Sequence, residues 1–203
     1  KDTVITIDGA DAKDLDDAVC VKKSENGYIL SVHIADVTHY VKENGAIDKE
    51  AYKRGTSVYF ADRVVPMLPK KLSNGICSLN PRVDRLTLSV IMEIDEKGNL
   101  TNSEVCEGII KTKERMTYED VTKILDGDKE LCKKYKHILD DLYLMQTLAL
   151  ILKGKRLKKG GIDFDFPETK IELDENGRPI KISKREITIA NSIIEEFMLM
   201  CNK

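Results

Sequence analysis

Apolar and polar residues alternate at 4–7, 18–22 and 28–37, a period of two that predicts strands. Ser24-Glu25-Asn26-Gly27 separates the second run from the third and reads as a hairpin turn. Residues 48–54 suggest a short helix, 57–60 are strand-like, and Pro66 to Pro69 makes a rigid extended connection. A longer hairpin follows: 85–95 alternates into Glu96-Lys97-Gly98-Asn99, and 100–111 returns as the partner strand. Thr117 is placed to cap a helix running to about Leu125, with Asp120 standing at the third helical position for the Glu or Gln of a capping box. From 128 to 157 the apolar positions 131, 135, 138, 139, 142, 145, 148, 149 and 152 keep helical spacing, which predicts one long helix as the spine of the chain.

Beyond Gly160-Gly161 the pattern returns to strands, at 162–166 and then at 170–173 and 179–183 around the turn Asp174-Glu175-Asn176-Gly177. Thr188 opens a final helix whose apolar positions Ile193, Ile194, Phe197, Met198 and Met200 are expected to stay exposed and to favour self-association. Antiparallel hairpins with one long and several short helices predict an α+β fold: a mixed, largely antiparallel sheet flanked by helices.

Composition narrows the class. The chain has 203 residues, 41% of them hydrophobic, enough for a sizeable core, and no apolar stretch approaches the length of a membrane span. Cys20, Cys77, Cys106, Cys132 and Cys201 are odd in number and form no C-x-x-C pair, so neither a disulfide framework nor a zinc site is indicated, and a reducing cytoplasm is expected. The absence of an initiator Met and a last helix without a C-cap suggest a piece of a longer protein. A formal charge of −2 is not that of an obvious nucleic-acid binder, but Lys153, Lys155, Arg156, Lys158 and Lys159 crowd one segment. That run reads either as cations at a helix C-terminus or as a phosphate contact.

The densest chemistry lies earlier, where I-D-G-A-D-A-K-D-L-D-D-A puts Asp8, Asp11, Asp14, Asp16 and Asp17 within ten residues. Two carboxylates about 5 Å apart repel by roughly 3 kcal/mol at an effective dielectric near 20, so such a segment opposes folding unless cations neutralise it. A solvated acidic turn is the plain alternative. Interleaved Ile7, Leu15, Ala18 and Val19 argue against it, because part of the segment must face a core. An EF-hand is only a minor alternative, since a loop starting at Asp8 puts Gly9 at position 2 and Ala10 at position 3, where an oxygen ligand is needed, and no other start repairs the pattern. The segment reads as a hard-metal site, for Mg²⁺ or Mn²⁺.

The string T-I-D-G-x-D-A-K-D-L-D-D-A-V resembles the active-site signature of the ribonuclease II and ribonuclease R family. Further stretches match in order: H-I-A-D-V-T-H-Y-V at 33–41, R-G-T-S-V-Y-F-A-D-R-V-V-P-M-L-P at 54–69, L-S-N-G-I-C-S-L-N-P-R-V-D-R-L at 72–86, R-M-T-Y-E-D-V at 115–121 and I-E-E-F-M-L-M-C-N at 194–202. The 58–69 wording is closer to the ribonuclease R branch. The resemblance implies the N-terminal part of one catalytic RNB domain over 1–203, hydrolysing single-stranded RNA from the 3′ end with Mg²⁺ or Mn²⁺. The rest of that domain and its OB-fold RNA-binding domains are not visible in the sequence.

The resemblance assigns roles residue by residue. Asp8, Asp14 and Asp17 fall on metal ligands, and Asp16 on the position most critical for cleavage. Asp11 falls beside the four. Tyr59 and Phe164 match aromatics that stack on nucleotides, Tyr118 an active-site tyrosine, and Glu195 or Glu196 a glutamate at the terminal nucleotide. Ordinary core packing is the competing reading for each aromatic, and more so for Phe164, which alternates with Phe166. A metal-binding or RNA-binding assembly module without catalysis is the alternative function. His33, His39 and His137 are too dispersed for a metal cluster, and His33, inside a strand, reads as structural.

Overall fold

The computed structural model describes residues 2–161, 168–185 and 187–203. Strands β1 (Ile5–Asp8), β2 (Asp17–Ser24) and β3 (Gly27–Ala35) run antiparallel in turn, followed by helices α1 (Val37–Tyr40) and α2 (Ala46–Arg54). A small hairpin of β4 (Val58–Tyr59) and β5 (Val64–Val65) and a π-helical turn at Leu72–Ile76 lead to the long hairpin of β6 (Asp84–Asp95) and β7 (Leu100–Lys111). After β8 (Glu114–Thr117) come α3 (Tyr118–Leu125), α4 (Lys129–Lys134), a 3₁₀ turn at Lys136–Ile138 and α5 (Leu139–Lys158). A separate hairpin of β9 (Glu168–Leu173) and β10 (Pro179–Arg185) precedes α6 (Ile189–Cys201).

Six strands form one sheet in the order β7-β6-β3-β2-β1-β8, antiparallel except where β8 joins β1 in parallel. The expected α+β class holds. The turn between β2 and β3 depends on Gly27 at φ 150°, where a Cβ would sit 2.1 Å from the Ile94 carbonyl oxygen of β6. Parity then sorts the side chains. Ile5, Ile7, Val19, Val21, Leu30, Val32, Met92 and Ile94 face the helices and make the main core with α3, α5 and α6. Val4, Ala18, Cys20, Ala35 and Ile110 point to the opposite face, where Leu15, Cys77 and Leu79 close a smaller core.

Three expectations change. The helix expected over 128–157 is divided, since the chain tightens through the 3₁₀ turn and α5 starts afresh at Leu139. Tyr135, Ile138 and Leu142 nonetheless all stay buried, because three-residue spacing through a 3₁₀ turn keeps one face, and the pattern could not show the break. The final helix does not expose an apolar face either: Ile193, Ile194, Phe197 and Met200 are buried against the sheet and neighbouring helices. Strand β3 stops at Ala35 because the Asp36 side chain accepts from the His39 amide and caps α1. The strand expected at 162–166 lies outside the described residues.

Candidate active site

Asp8 ends β1 and Asp17 opens β2, so antiparallel pairing of these strands brings both to one end of the sheet with residues 9–16 looping between them. Burial of Leu15 shapes this loop. Its side chain fills the smaller core, its amide donates to Ser78 Oγ (3.1 Å), and its carbonyl accepts from the Leu79 amide (2.8 Å). With Leu15 turned inward, its neighbours Asp14 and Asp16 turn outward. The Asp16 carbonyl is fixed in turn by the Ala35 amide at 2.9 Å.

Asp8, Asp11, Asp14, Asp16 and Asp17 thereby line one open cavity of about 430 Å³, together with Tyr59 and Val64 from the β4–β5 hairpin. The Tyr59 hydroxyl donates to Asp14 Oδ2 at 2.8 Å. That bond, with the nearby carboxylates, pushes the phenol up to about 12. Burial pushes the Asp16 carboxyl up to about 6, helped by the charges of Asp14 and Asp8, and does the same to Asp17, helped by Asp8 and Asp16. The Asp8 charge thus acts on both Asp16 and Asp17.

The donor set suits a hard divalent cation in atom type and charge: every side-chain donor is a carboxylate oxygen or the Tyr59 hydroxyl. It is not a closed cage. Among the described residues no three His, Cys, Asp or Glu side chains stand together as a ready ligand set.

The other expected site residues lie elsewhere. Tyr118 opens α3 directly after β8, whose Thr117 pairs with Asp8, and its half-buried ring packs on the main core. Glu195 and Glu196 on α6 meet Arg156 of α5: Nη2 lies 2.7 Å from Glu196 Oε1 and 3.3 Å from Glu195 Oε1. Glu196 is buried at 3% exposure, while the Glu195 side chain is 45% exposed. Phe164 lies outside the described residues. The basic run around Arg156 serves structure in part, since Lys155 Nζ also donates to the Gly98 carbonyl and to Asn99 Oδ1. His33 is buried with Nδ1 2.8 Å from Ser89 Oγ, as a structural histidine.

Arg115 and Ser78 carry no role in the sequence reading, yet both contact the loop. Arg115 Nη2 donates to the Gly9, Ala10 and Ala12 carbonyls. Arg115 stands two positions before Thr117 on the strand that pairs with β1, so the face it shares with Thr117 was the available signal.

The RNB domain family model matches residues 1–203. This chain belongs to the RNB domain family. It is 57% identical over 199 residues to Ribonuclease R 1 of Lactococcus lactis and 52% identical over 202 residues to Ribonuclease R of Thermotoga maritima. Each match covers 98% of this chain but only 24% and 28% of the relative, so the chain spans about a quarter of the length of these curated relatives. The solved structure of Mycoplasma genitalium RNase R in complex with ribose methylated single-stranded RNA superposes with a TM-score of 0.90 at 35% identity, over 98% of this chain and 31% of that one. The RNB family thus accounts for the sheet, the flanking helices and the aspartate loop together.

Proposed function

We propose that this chain is the N-terminal part of an RNB catalytic domain. Within a ribonuclease R-like enzyme it hydrolyses single-stranded RNA from the 3′ end and releases nucleoside 5′-monophosphates. The observation that carries this reading is the meeting of five aspartates, from the β1–β2 loop and the strand ends that flank it, with a tyrosine from a separate hairpin on a single open cavity. Support comes from relatives named ribonuclease R and from a structural neighbour solved with single-stranded RNA.

A phosphodiester is an anion, and a site lined by five aspartates repels it. Asp8, Asp14 and Asp17 would therefore hold Mg²⁺ or Mn²⁺. When bound, the cation supplies charge neutralisation and Lewis acidity for attack on phosphorus. Asp16, outside that set, orients the attacking water by accepting its hydrogen bond. Tyr59 holds Asp14 through its hydroxyl and offers an exposed ring to a base, a contact every nucleotide provides. Tyr118 and Phe164 are assigned to further RNA contacts. Of the two α6 glutamates, Glu195 is the accessible one and is assigned to the terminal nucleotide.

The enzyme works in the cytoplasm on single-stranded RNA, with OB-fold domains outside this chain guiding the strand. The test is incubation of the intact protein with poly(A) and Mg²⁺. Mononucleotide release that stops with EDTA supports the reading, and undiminished release without divalent cation overturns its metal-dependent chemistry.

A further inference from the structure

The aspartate loop is gripped by its main chain, from two sides. Arg115 Nη2 lies 3.3 Å from the Gly9 carbonyl oxygen, 2.9 Å from that of Ala10 and 2.8 Å from that of Ala12. Ser78, fully buried, accepts from the Leu15 amide at 3.1 Å and donates to the Lys13 carbonyl at 2.9 Å. Arg115 holds the loop ahead of Asp14, and Ser78 brackets Asp14 itself, at Lys13 and Leu15.

Every hydrogen bond described for the Arg115 guanidinium goes to a main-chain oxygen, and its buried Nε has no partner among the described residues. This is an unusual placement for a cation bonded to the loop between Asp8 and Asp17. A guanidinium normally forks onto a carboxylate, a geometry that takes up both oxygens. Here the positive charge sits beside the acidic segment and favours its folding, while its own described bonds go to main-chain oxygens. Lysine cannot reproduce the arrangement. Its ammonium ends about one bond short of Nη2, roughly 1.3 Å, and lacks the planar fork.

We propose that Arg115, assisted by Ser78, is a positioning residue of the site. It holds the 9–15 backbone so that Asp8, Asp11 and Asp14 face one cavity, and it does so without occupying a carboxylate oxygen. The proposal rests on the reading of that cavity as a divalent-cation nuclease site, and its test separates the two.

Hydrogen–deuterium exchange on the cation-free chain compares wild type with Arg115→Lys, Arg115→Ala and Ser78→Ala. The expected result is exchange at least about tenfold faster at residues 9–16, with the distant β6–β7 hairpin unchanged. Melting curves over a Mg²⁺ series give the concentration for half-maximal stabilisation, which should rise by about 10–100-fold in Arg115→Lys, as when the supports of metal ligands are removed. In the intact protein kcat should fall while KM for RNA stays within about threefold. Exchange at 9–16 equal to wild type overturns the proposal, as does exchange that rises evenly across the sheet, the mark of a general stability residue. If Arg115→Ala does not fold, Arg115→Lys, which keeps the stem and the charge, decides by the same exchange reading. A wild type that ignores Mg²⁺ overturns the proposed function, and the exchange data still decide the role of Arg115.

Discussion

Tyr59 and Asp14 stand 45 positions apart and are joined by a 2.8 Å hydrogen bond from the phenol to Oδ2. The hairpin that carries Tyr59 is otherwise exposed, with Val58, Phe60, Val64 and Val65 all largely open to solvent. This bond therefore ties an exposed aromatic platform to the carboxylate loop, and it separates two duties of one side chain.

Removing only the hydroxyl, in Tyr59→Phe, should cost about 0.5–1.5 kcal/mol of hairpin docking and leave the stacking ring in place. Removing the ring, in Tyr59→Ala, should also remove base stacking worth about 1–3 kcal/mol, so degradation stops at a longer oligonucleotide. Denaturing gels of 5′-labelled RNA digested by the intact protein read the difference. A Tyr59→Ala end product as short as that of wild type removes Tyr59 from the RNA path.

Asp16→Asn should separate stability from turnover. Asp16 is held up at about 6 by burial and by Asp14 and Asp8, so its charge opposes folding at neutral pH when no cation is present. The neutral, nearly isosteric amide should raise the melting temperature of the cation-free chain. RNA hydrolysis by the intact protein should fall by about 10²–10⁴-fold, the usual worth of a group that manages protons at the transition state. Gel-shift binding should persist. A variant that melts lower than wild type without cation would contradict the charge argument, and one that still turns over at the wild-type rate would contradict the role.

The aspartate string was legible because both its chemistry and its anchoring lie in one stretch: the alternation of Asp14, Leu15 and Asp16 already states which residue turns inward. The hairpins were equally local, since Asn26-Gly27 and Gly98-Asn99 punctuate period-two runs. What stayed hidden was decided at long range. Strand β8 has only four residues and exists by pairing in parallel with β1, so its own sequence carries almost no strand signal. The grip of Arg115 on the Gly9, Ala10 and Ala12 carbonyls spans more than a hundred positions, and an arginine that bonds main-chain oxygen leaves no charge pattern to find. The buried face of α6 was misjudged for a related reason: its partners on α3, α5 and β3 are distant in sequence.

Glu196 and Arg156 offer a test of that helix packing. Glu196 is almost wholly buried, and Arg156 reaches its Oε1 with both Nε (2.9 Å) and Nη2 (2.7 Å). Glu196→Ala removes both charge-assisted bonds at the buried end of this cluster while Glu195 stays beside the guanidinium, so it should cost about 1.5–3 kcal/mol. Glu195, half exposed and 3.3 Å from the same guanidinium, should cost under about 1 kcal/mol as Glu195→Ala. Urea denaturation measures both. Equal losses at the two positions would show that burial of Glu196 does not set the energy of the pair.

His33 predicts a pH dependence of opposite sign to that of the aspartates. Its ring is buried on β3 with Nδ1 2.8 Å from Ser89 Oγ, and burial lowers its pKa from the ordinary 6.5, against a weaker upward pull from Asp2. The unfolded chain therefore binds a proton at this position more readily than the folded one. The stabilising difference is fully present above 6.5 and is lost as the pH falls through that value. Asp16 and Asp17, raised to about 6, act in reverse: the folded state takes up their protons first, so they add stability as the pH drops. A single melting profile would mix the two trends. The difference between wild type and His33→Asn isolates the histidine, because the amide can still bond Ser89 but cannot titrate. Urea midpoints at pH 7.5 and 5.0 should fall further in wild type than in His33→Asn, and an identical fall in both would show that His33 is not held neutral by its surroundings.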